Sequence, residues 1–123
     1  IIQRLKNQGM RVSLFMDPDL EQIDLAAKVG ADRIELYTGP YAASWGTDSL
    51  ETIFQHHLKA AQLATSLGMG VNAGHDLNLD NLAKFSSIPN LLEVSIGHAF
   101  FVDSLSMGMA STLQAYKKLL SQN

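Results

Sequence analysis

Two short stretches of this sequence close on the same pair of residues. "GVNAG" runs into His75 and "LEVSIG" runs into His98, so Gly74-His75 and Gly97-His98 each end a run of strand-forming residues. An imidazole, with a reference pKa of about 6.5, can carry and release a proton near neutrality or hold an anion as a cation. A glycine beside it lets backbone N–H groups approach a ligand. A helix opening at that point adds unpaired N–H donors and the positive end of its dipole. The pairs therefore fit proton transfer and phosphate binding, with His75 as a general acid and His98, at the mouth of a helix, as a phosphate ligand. Each also has a plainer reading, a loop histidine hydrogen-bonded to neighbouring backbone. Glu35, inside "RIELYTG", stands between two aliphatic residues and faces away from them. Two roles are open for it: a carboxylate paired with a nearby Arg or Lys for structure, or one that steadies positive charge or relays protons.

Other candidates carry less. Asp17, ahead of Pro18, reads as a helix cap rather than a catalyst. His56 and His57 are adjacent, lack the i, i+4 spacing of a helical metal pair, and read as surface and helix packing. Trp45 lies in the longest loop, where it anchors the loop or forms part of a lid. The sequence holds no metal-ligand spacing, complete phosphate-binding Walker loop or nucleophile elbow, so no metal and no cofactor is expected.

Four strands and the helices between them must position these groups. The strands read as 11–17, 33–39, 70–74 and 92–97, the helices as 18–29, 49–67, 79–86 and about 104–120. Asp17 is the expected cap of the first helix, with Pro18 in its first turn. Asp48 with Glu51 resembles a capping box for the second, and Gly30 and Gly68 are stops. Strands alternating with helices of this length make a parallel sheet. Alternation sets Val12, Leu14 and Met16 against Ser13, Phe15 and Asp17, Ile34 and Leu36 against Glu35 and Tyr37, Val71 and Ala73 against Asn72, and Val94 and Ile96 against Glu93 and Ser95. A doubly wound sheet would be apolar on both faces. One apolar and one polar face fit a parallel (β/α)8 barrel of the TIM type, in which strands feed a site at their C-terminal ends. A whole barrel takes about 250 residues, so four β/α units make half of one.

The 123 residues are one domain, or part of one, over 1–123. A charged fraction of 17% and an apolar fraction of 46% are those of a globular protein. A net charge of −3 gives no reason to expect nucleic acid or an anionic membrane as partner. The absence of cysteine excludes disulfide and thiolate chemistry and suits a cytoplasmic location. The opening "IIQRLKNQGM" reads as the end of a helix feeding a strand, inside a larger protein.

"RVSLFMDPD", "GADRIELYTGPYA", "LGMGVNAGHDLN" and "IPNLLEVSIGHAFFVDSLSMGMASTLQAYKKLL" resemble, in order and over nearly the whole chain, the C-terminal half of the pyridoxine 5'-phosphate synthase family. "VNAGHDLN" followed by "IGHA" is the specific element of that likeness. The resemblance implies a (β/α)8 barrel with added helices, this chain giving strands five to eight, and a homo-oligomer. It implies an enzyme of vitamin B6 biosynthesis, a transferase that needs no cofactor. The family condenses 3-amino-2-oxopropyl phosphate with 1-deoxy-D-xylulose 5-phosphate. By the same resemblance His75 matches the proton donor and Glu35 the carboxylate that stabilises the transition state. Gly97 and His98 match the pair that binds the amino-ketone phosphate, and Asp76 stands where some members have a substrate-contacting glycine. Tyr37 departs from the family's usual "ELHTG". The family's remaining catalytic groups come from strands one to four, so the chain alone is expected to be inactive. The alternatives are another phosphate-binding (β/α) barrel enzyme and a non-catalytic half-barrel that binds anions. The six lysines all fall in helical segments, which counts against Schiff-base aldolase chemistry.

Overall fold

The computed structural model describes residues 1–121. In chain order the elements are α1 (Ile2–Lys6), β1 (Ser13–Met16), α2 (Leu20–Lys28), β2 (Arg33–Tyr37), α3 (Gly39–Ala43) and α4 (Leu50–Ser66), then β3 (Gly70–Gly74), α5 (Leu82–Phe85), β4 (Leu91–Ser95), α6 (His98–Met107) and α7 (Met109–Leu120). The four strands form one parallel sheet in the order β1-β2-β3-β4. A parallel sheet wound in sequence order, with a helical connection between neighbours, is the arrangement of a partial β/α barrel.

The register decides what shares a face. Phe15, Glu35, Asn72 and Glu93 lie side by side across the sheet. On the opposite face Ile34, Leu36, Val71 and Ala73 are fully buried against Ile23 of α2, Ala61 and Ala64 of α4, and Leu82 and Phe85 of α5. The alternation expected from the sequence is therefore the alternation observed. One extra residue, Leu92, bulges between the Val71–Leu91 and Asn72–Glu93 pairings, and its side chain lies over the Cα of Gly70.

Several helix ends differ from expectation. The cap of α2 is Asp19, not Asp17: its extended backbone lets the carboxylate accept from the N–H groups of Glu21 and Gln22. The expected Asp48–Glu51 capping box does not form. Ser49 precedes α4, and Glu51 instead accepts from Lys84 of α5 at 2.8 Å and from Gln55 at 2.8 Å. The expected helix 104–120 is two helices that meet at Gly108, whose φ of +79° ends α6; the first of them starts earlier than expected, at His98 after Gly97. The short helix α3, with Pro40 in its first turn, was not foreseen. Its Tyr41 is a core residue, and Trp45 packs edge-on against the Tyr41 ring, which makes Trp45 a loop anchor. His57 is fully buried, with Nδ1 2.9 Å from the Ile53 carbonyl oxygen and Nε2 3.0 Å from that of Tyr37. His56 is exposed, so the packing and surface readings of this pair both hold.

The polar face holds a charge network near the strand starts. Glu93 pairs with Arg33 at 2.8 Å and with Arg11 at 3.4 Å, and Asn72 bridges Arg33 at 3.0 Å to Glu93 at 3.1 Å. Desolvation pushes the Glu93 carboxyl up, but the charges of Arg11 and Arg33 and their hydrogen bonds outweigh it and hold the group below its ordinary value of 4.5. A carboxylate whose folded-state pKa is depressed stabilises the fold fully above its unfolded-state value. That contribution is lost as pH falls through the folded-state value. Urea midpoints measured from neutrality downward should therefore fall below about pH 4.5, and Glu93→Gln should flatten that fall. An unchanged slope would remove this network from the account.

Candidate functional site

β3 and β4 end beside each other, and their last residues make the rim. Gly74 pairs with Tyr37 on one side and with Ser95 on the other. A Cβ at residue 74 would stand 2.5 Å from Glu35 Oε1 and 2.9 Å from the Ser95 Cβ. Glycine there has a steric cause: the Glu35 side chain crosses the end of β3 through the space that any other residue would fill.

Beyond Gly74 the chain turns sharply. His75 has φ +100° and Asp76 φ +55°, a region that side-chain-bearing residues enter at a cost. No helix opens directly after His75; that part of the sequence expectation fails, and the turn is what aims the imidazole. Two clamps hold it. The Thr38 N–H donates to the Gly74 carbonyl at 3.0 Å, and the Thr38 hydroxyl donates to the His75 carbonyl. On the far side Asn81, nearly fully buried, donates from Nδ2 to the Asp76 carbonyl at 3.1 Å, and its own carbonyl accepts from Tyr41 Oη at 2.7 Å. Leu77, between the clamps, points into the core.

β4 ends differently. Gly97 is the N-cap of α6, and His98 is its first residue. The first turn of α6 carries no acidic side chain and no side-chain cap, which leaves first-turn N–H groups directed outward. Glu35, His75, Asp76, Gly97 and His98 all line one cleft of about 450 Å³, together with Ser95. His98 also borders an adjoining hollow of about 400 Å³ that includes Asp80 and Asp103. A hollow of about 540 Å³ lies elsewhere, formed by residues 86–94 and Leu120, with Glu93 as its one titratable side chain.

Glu35 is half-buried, and among the described residues no Lys or Arg makes an ion pair with it. Arg33, two residues earlier in the same strand, is turned to Glu93 and Asn72 instead. The structural ion pair that would have explained Glu35 belongs to Glu93. No cluster of three or more His, Cys, Asp or Glu residues with metal-binding geometry occurs among the described residues.

All five predicted site residues therefore share one cleft, while Asp17 lies outside it. Thr38 and Asn81, which hold the turn, were missed. Thr38 follows a strand and Asn81 precedes a helix, positions whose side-chain partners lie 37 and 5 residues away. Only the Asn78–Asn81 spacing, where the Asn78 N–H donates to Asn81 Oδ1 and the Asn81 N–H to Asn78 Oδ1, carried a local signal.

Comparison with known proteins agrees with the residues that carried the resemblance. The family described as "Pyridoxal phosphate biosynthesis protein PdxJ" matches residues 1–122. A protein of Parabacteroides distasonis named pyridoxine 5'-phosphate synthase is 52% identical over 122 residues, which are 98% of this chain and 51% of that protein. Proteins of the same name from Albidiferax ferrireducens and Brucella anthropi are 51% and 52% identical, covering 93% and 94% of this chain and 46% and 48% of their own lengths. The chain thus spans about half the length of the curated relatives it matches.

The steric account of residue 74 has a direct check. Gly74→Ala should destabilise the chain by about 1–3 kcal/mol, the usual cost of overpacking, read by urea denaturation. Adding Glu35→Ala should recover part of that loss, with a coupling of at least about 0.5 kcal/mol in the double-mutant cycle. Strict additivity would mean that the two residues do not compete for the same space.

Proposed function

The chain belongs to the family of the pyridoxal phosphate biosynthesis protein PdxJ, and from that premise we propose that it supplies one half of the active site of a pyridoxine 5'-phosphate synthase. The observation that carries this is the convergence of Glu35, His75, Gly97 and His98 on a single cleft at the C-terminal rim of the sheet. The reaction condenses 3-amino-2-oxopropyl phosphate with 1-deoxy-D-xylulose 5-phosphate and builds a pyridine ring with loss of inorganic phosphate and water. Each group has a role suited to its place.

His98 and the first turn of α6 hold the phosphate of the amino-ketone. A Cβ at residue 97 would meet nothing within 4 Å, so the space before the Gly97 backbone is open to that phosphate. Asp76 contributes through its backbone, which the turn presents to the cleft. His75 gives a proton to a leaving oxygen; its ring is exposed at the end of β3, where a bound substrate can reach it. Glu35 stabilises positive charge as it develops, and the diversion of Arg33 to Glu93 leaves its carboxylate free to do so. Water loss and ring closure also need a base and further phosphate ligands, which in this reading come from the strands of the other half. No cofactor is required.

The partners follow from the same reading. Among the described residues β1 and β4 each have one unpaired edge, and α6 leaves Phe101 at 71% and Leu105 at 89% exposure. Free edges and bare apolar residues favour association. The partner is the N-terminal half of the barrel or a second copy of the chain, and the location is the cytoplasm. No helix among the described residues is long and apolar enough to cross a membrane. Sedimentation velocity on the purified chain should give a species larger than a monomer; a monomer at all concentrations would contradict the self-association.

The catalytic assignment is tested by joining this chain to the N-terminal half of the Parabacteroides distasonis relative and measuring phosphate release from the two substrates. The joined protein should turn over, the chain alone should not, and His75→Gln should lower kcat by about 10²- to 10⁴-fold, the usual worth of a positioned proton donor. A joined protein that folds and binds inorganic phosphate but shows no turnover would overturn the assignment.

A further inference from the structure

Three aromatic rings meet beside the cleft, and of the three His75 lines it. Tyr37 closes β2, Phe15 lies next to the end of β1, and His75 follows β3. Their centroids are 5.2 Å apart for Tyr37–His75, 5.8 Å for Phe15–His75 and 5.6 Å for Phe15–Tyr37. The Tyr37–His75 contact is edge-on, at 71° between planes, and the other two are tilted at 54° and 55°. These are preferred geometries for paired rings. Among the described residues no protein group hydrogen-bonds to the His75 imidazole; its one hydrogen bond is at the backbone carbonyl, from Thr38. The orientation of the ring is therefore set by its two aromatic neighbours.

That mode of support has a chemical consequence. A histidine oriented by a carboxylate or carbonyl spends one nitrogen on its support. A histidine held by ring edges keeps both nitrogens for the ligand. Tyr37 is itself firmly seated. Its carbonyl faces His57 Nε2 in the core at 3.0 Å, and its ring occupies the space where a Cβ on Gly39 would stand. Gly39 thus makes room for Tyr37, as Gly74 makes room for Glu35.

We propose that Tyr37, braced by Phe15, is the positioning residue for His75: it fixes the imidazole over the cleft without occupying either nitrogen. The purpose of that positioning rests on reading His75 as the proton donor; the positioning itself does not.

The test is NMR of the 123-residue chain labelled at histidine, with the His75 signals assigned through His75→Gln. In the unsubstituted chain the His75 ring protons should be displaced from random-coil positions by the neighbouring ring currents. Tyr37→Leu should remove most of the displacement, leaving only what Phe15 contributes, while the Leu36 and Val71 methyl signals, on the opposite face of the sheet, stay in place. Gly39→Ala, which drives the Tyr37 ring aside without removing it, should do the same. Tyr37→Phe should preserve the displacement, because the ring and not the hydroxyl makes the contact. Random-coil His75 signals in the unsubstituted chain, or His75 signals indifferent to Tyr37→Leu, overturn the proposal. So does a Tyr37→Leu effect that carries the Leu36 and Val71 methyls with it, which marks general loss of packing. Titration with inorganic phosphate, followed at His98, reports on the catalytic reading separately: silence there refutes the anion site and leaves the His75 result to stand by itself.

Discussion

No side chain can stand at residue 74 while Glu35 holds its place, since Oε1 of that carboxylate lies 2.5 Å from where a Cβ would be. This one exclusion ties the site to the fold. The parallel register sets Glu35 beside Asn72, two residues before Gly74, and the strand period puts both on the face away from the helices. The Glu35 carboxylate reaches the cleft across the end of β3, at Gly74, and the turn at His75 and Asp76 follows at once. Slipping the register by one residue would send Glu35 into the apolar layer and Ile34 or Leu36 into the cleft. The buried aliphatic layer thus fixes the chemistry on the other face.

The second constraint is a division of charge. Arg33 and Glu35 leave the same strand on the same face, so an ion pair between them would be the simplest outcome. Asn72 prevents it by accepting from Arg33 and donating to Glu93, which keeps the guanidinium turned across the sheet toward Glu93. The Arg33–Glu93 pair is half-exposed on the glutamate side, and such pairs add little to stability by themselves. What the network gives is separation: the Arg33 charge is neutralised at Glu93, two strands away in the same row as Glu35, and among the described residues Glu35 keeps no cation partner.

Much of this was legible in the sequence because it depends on periodicity. Strand alternation fixed which of Ile34, Glu35 and Leu36 faces the helices, and the two Gly-His endings marked the rim. What escaped were features decided by atoms far apart in the chain or by competition between equivalent local signals. Asp17 and Asp19 flank Pro18 and are both plausible caps from composition. Only the extended backbone at Asp19 brings a carboxylate to the free N–H groups. Glu51 has the spacing of a capping box with Asp48, yet Lys84, 33 residues away, offers a charged partner, and the side chain goes there. Gly108 sits inside an apolar helical pattern that continues on both sides, so periodicity alone runs through it; its positive φ ends α6 and starts α7.

The turn at His75 shows why the supporting residues were the hardest to see. A non-glycine residue at φ +100° costs about 1–3 kcal/mol and persists only where its surroundings over-determine it. Thr38 and Asn81 provide that over-determination through hydrogen bonds made in or beside the core, where an unpaired donor or acceptor costs about 1–3 kcal/mol. Both side chains are essentially inaccessible to solvent, so if the turn relaxed to an ordinary backbone conformation their polar atoms would be stranded. The strained state is then the one in which every buried group near it is satisfied. Strain of this kind cannot be read from "AGHD", in which nothing forbids a relaxed loop. It follows from a buried threonine and a buried asparagine whose hydrogen bonds hold the backbone of His75 and Asp76 at the cleft, leaving the ring to its aromatic neighbours.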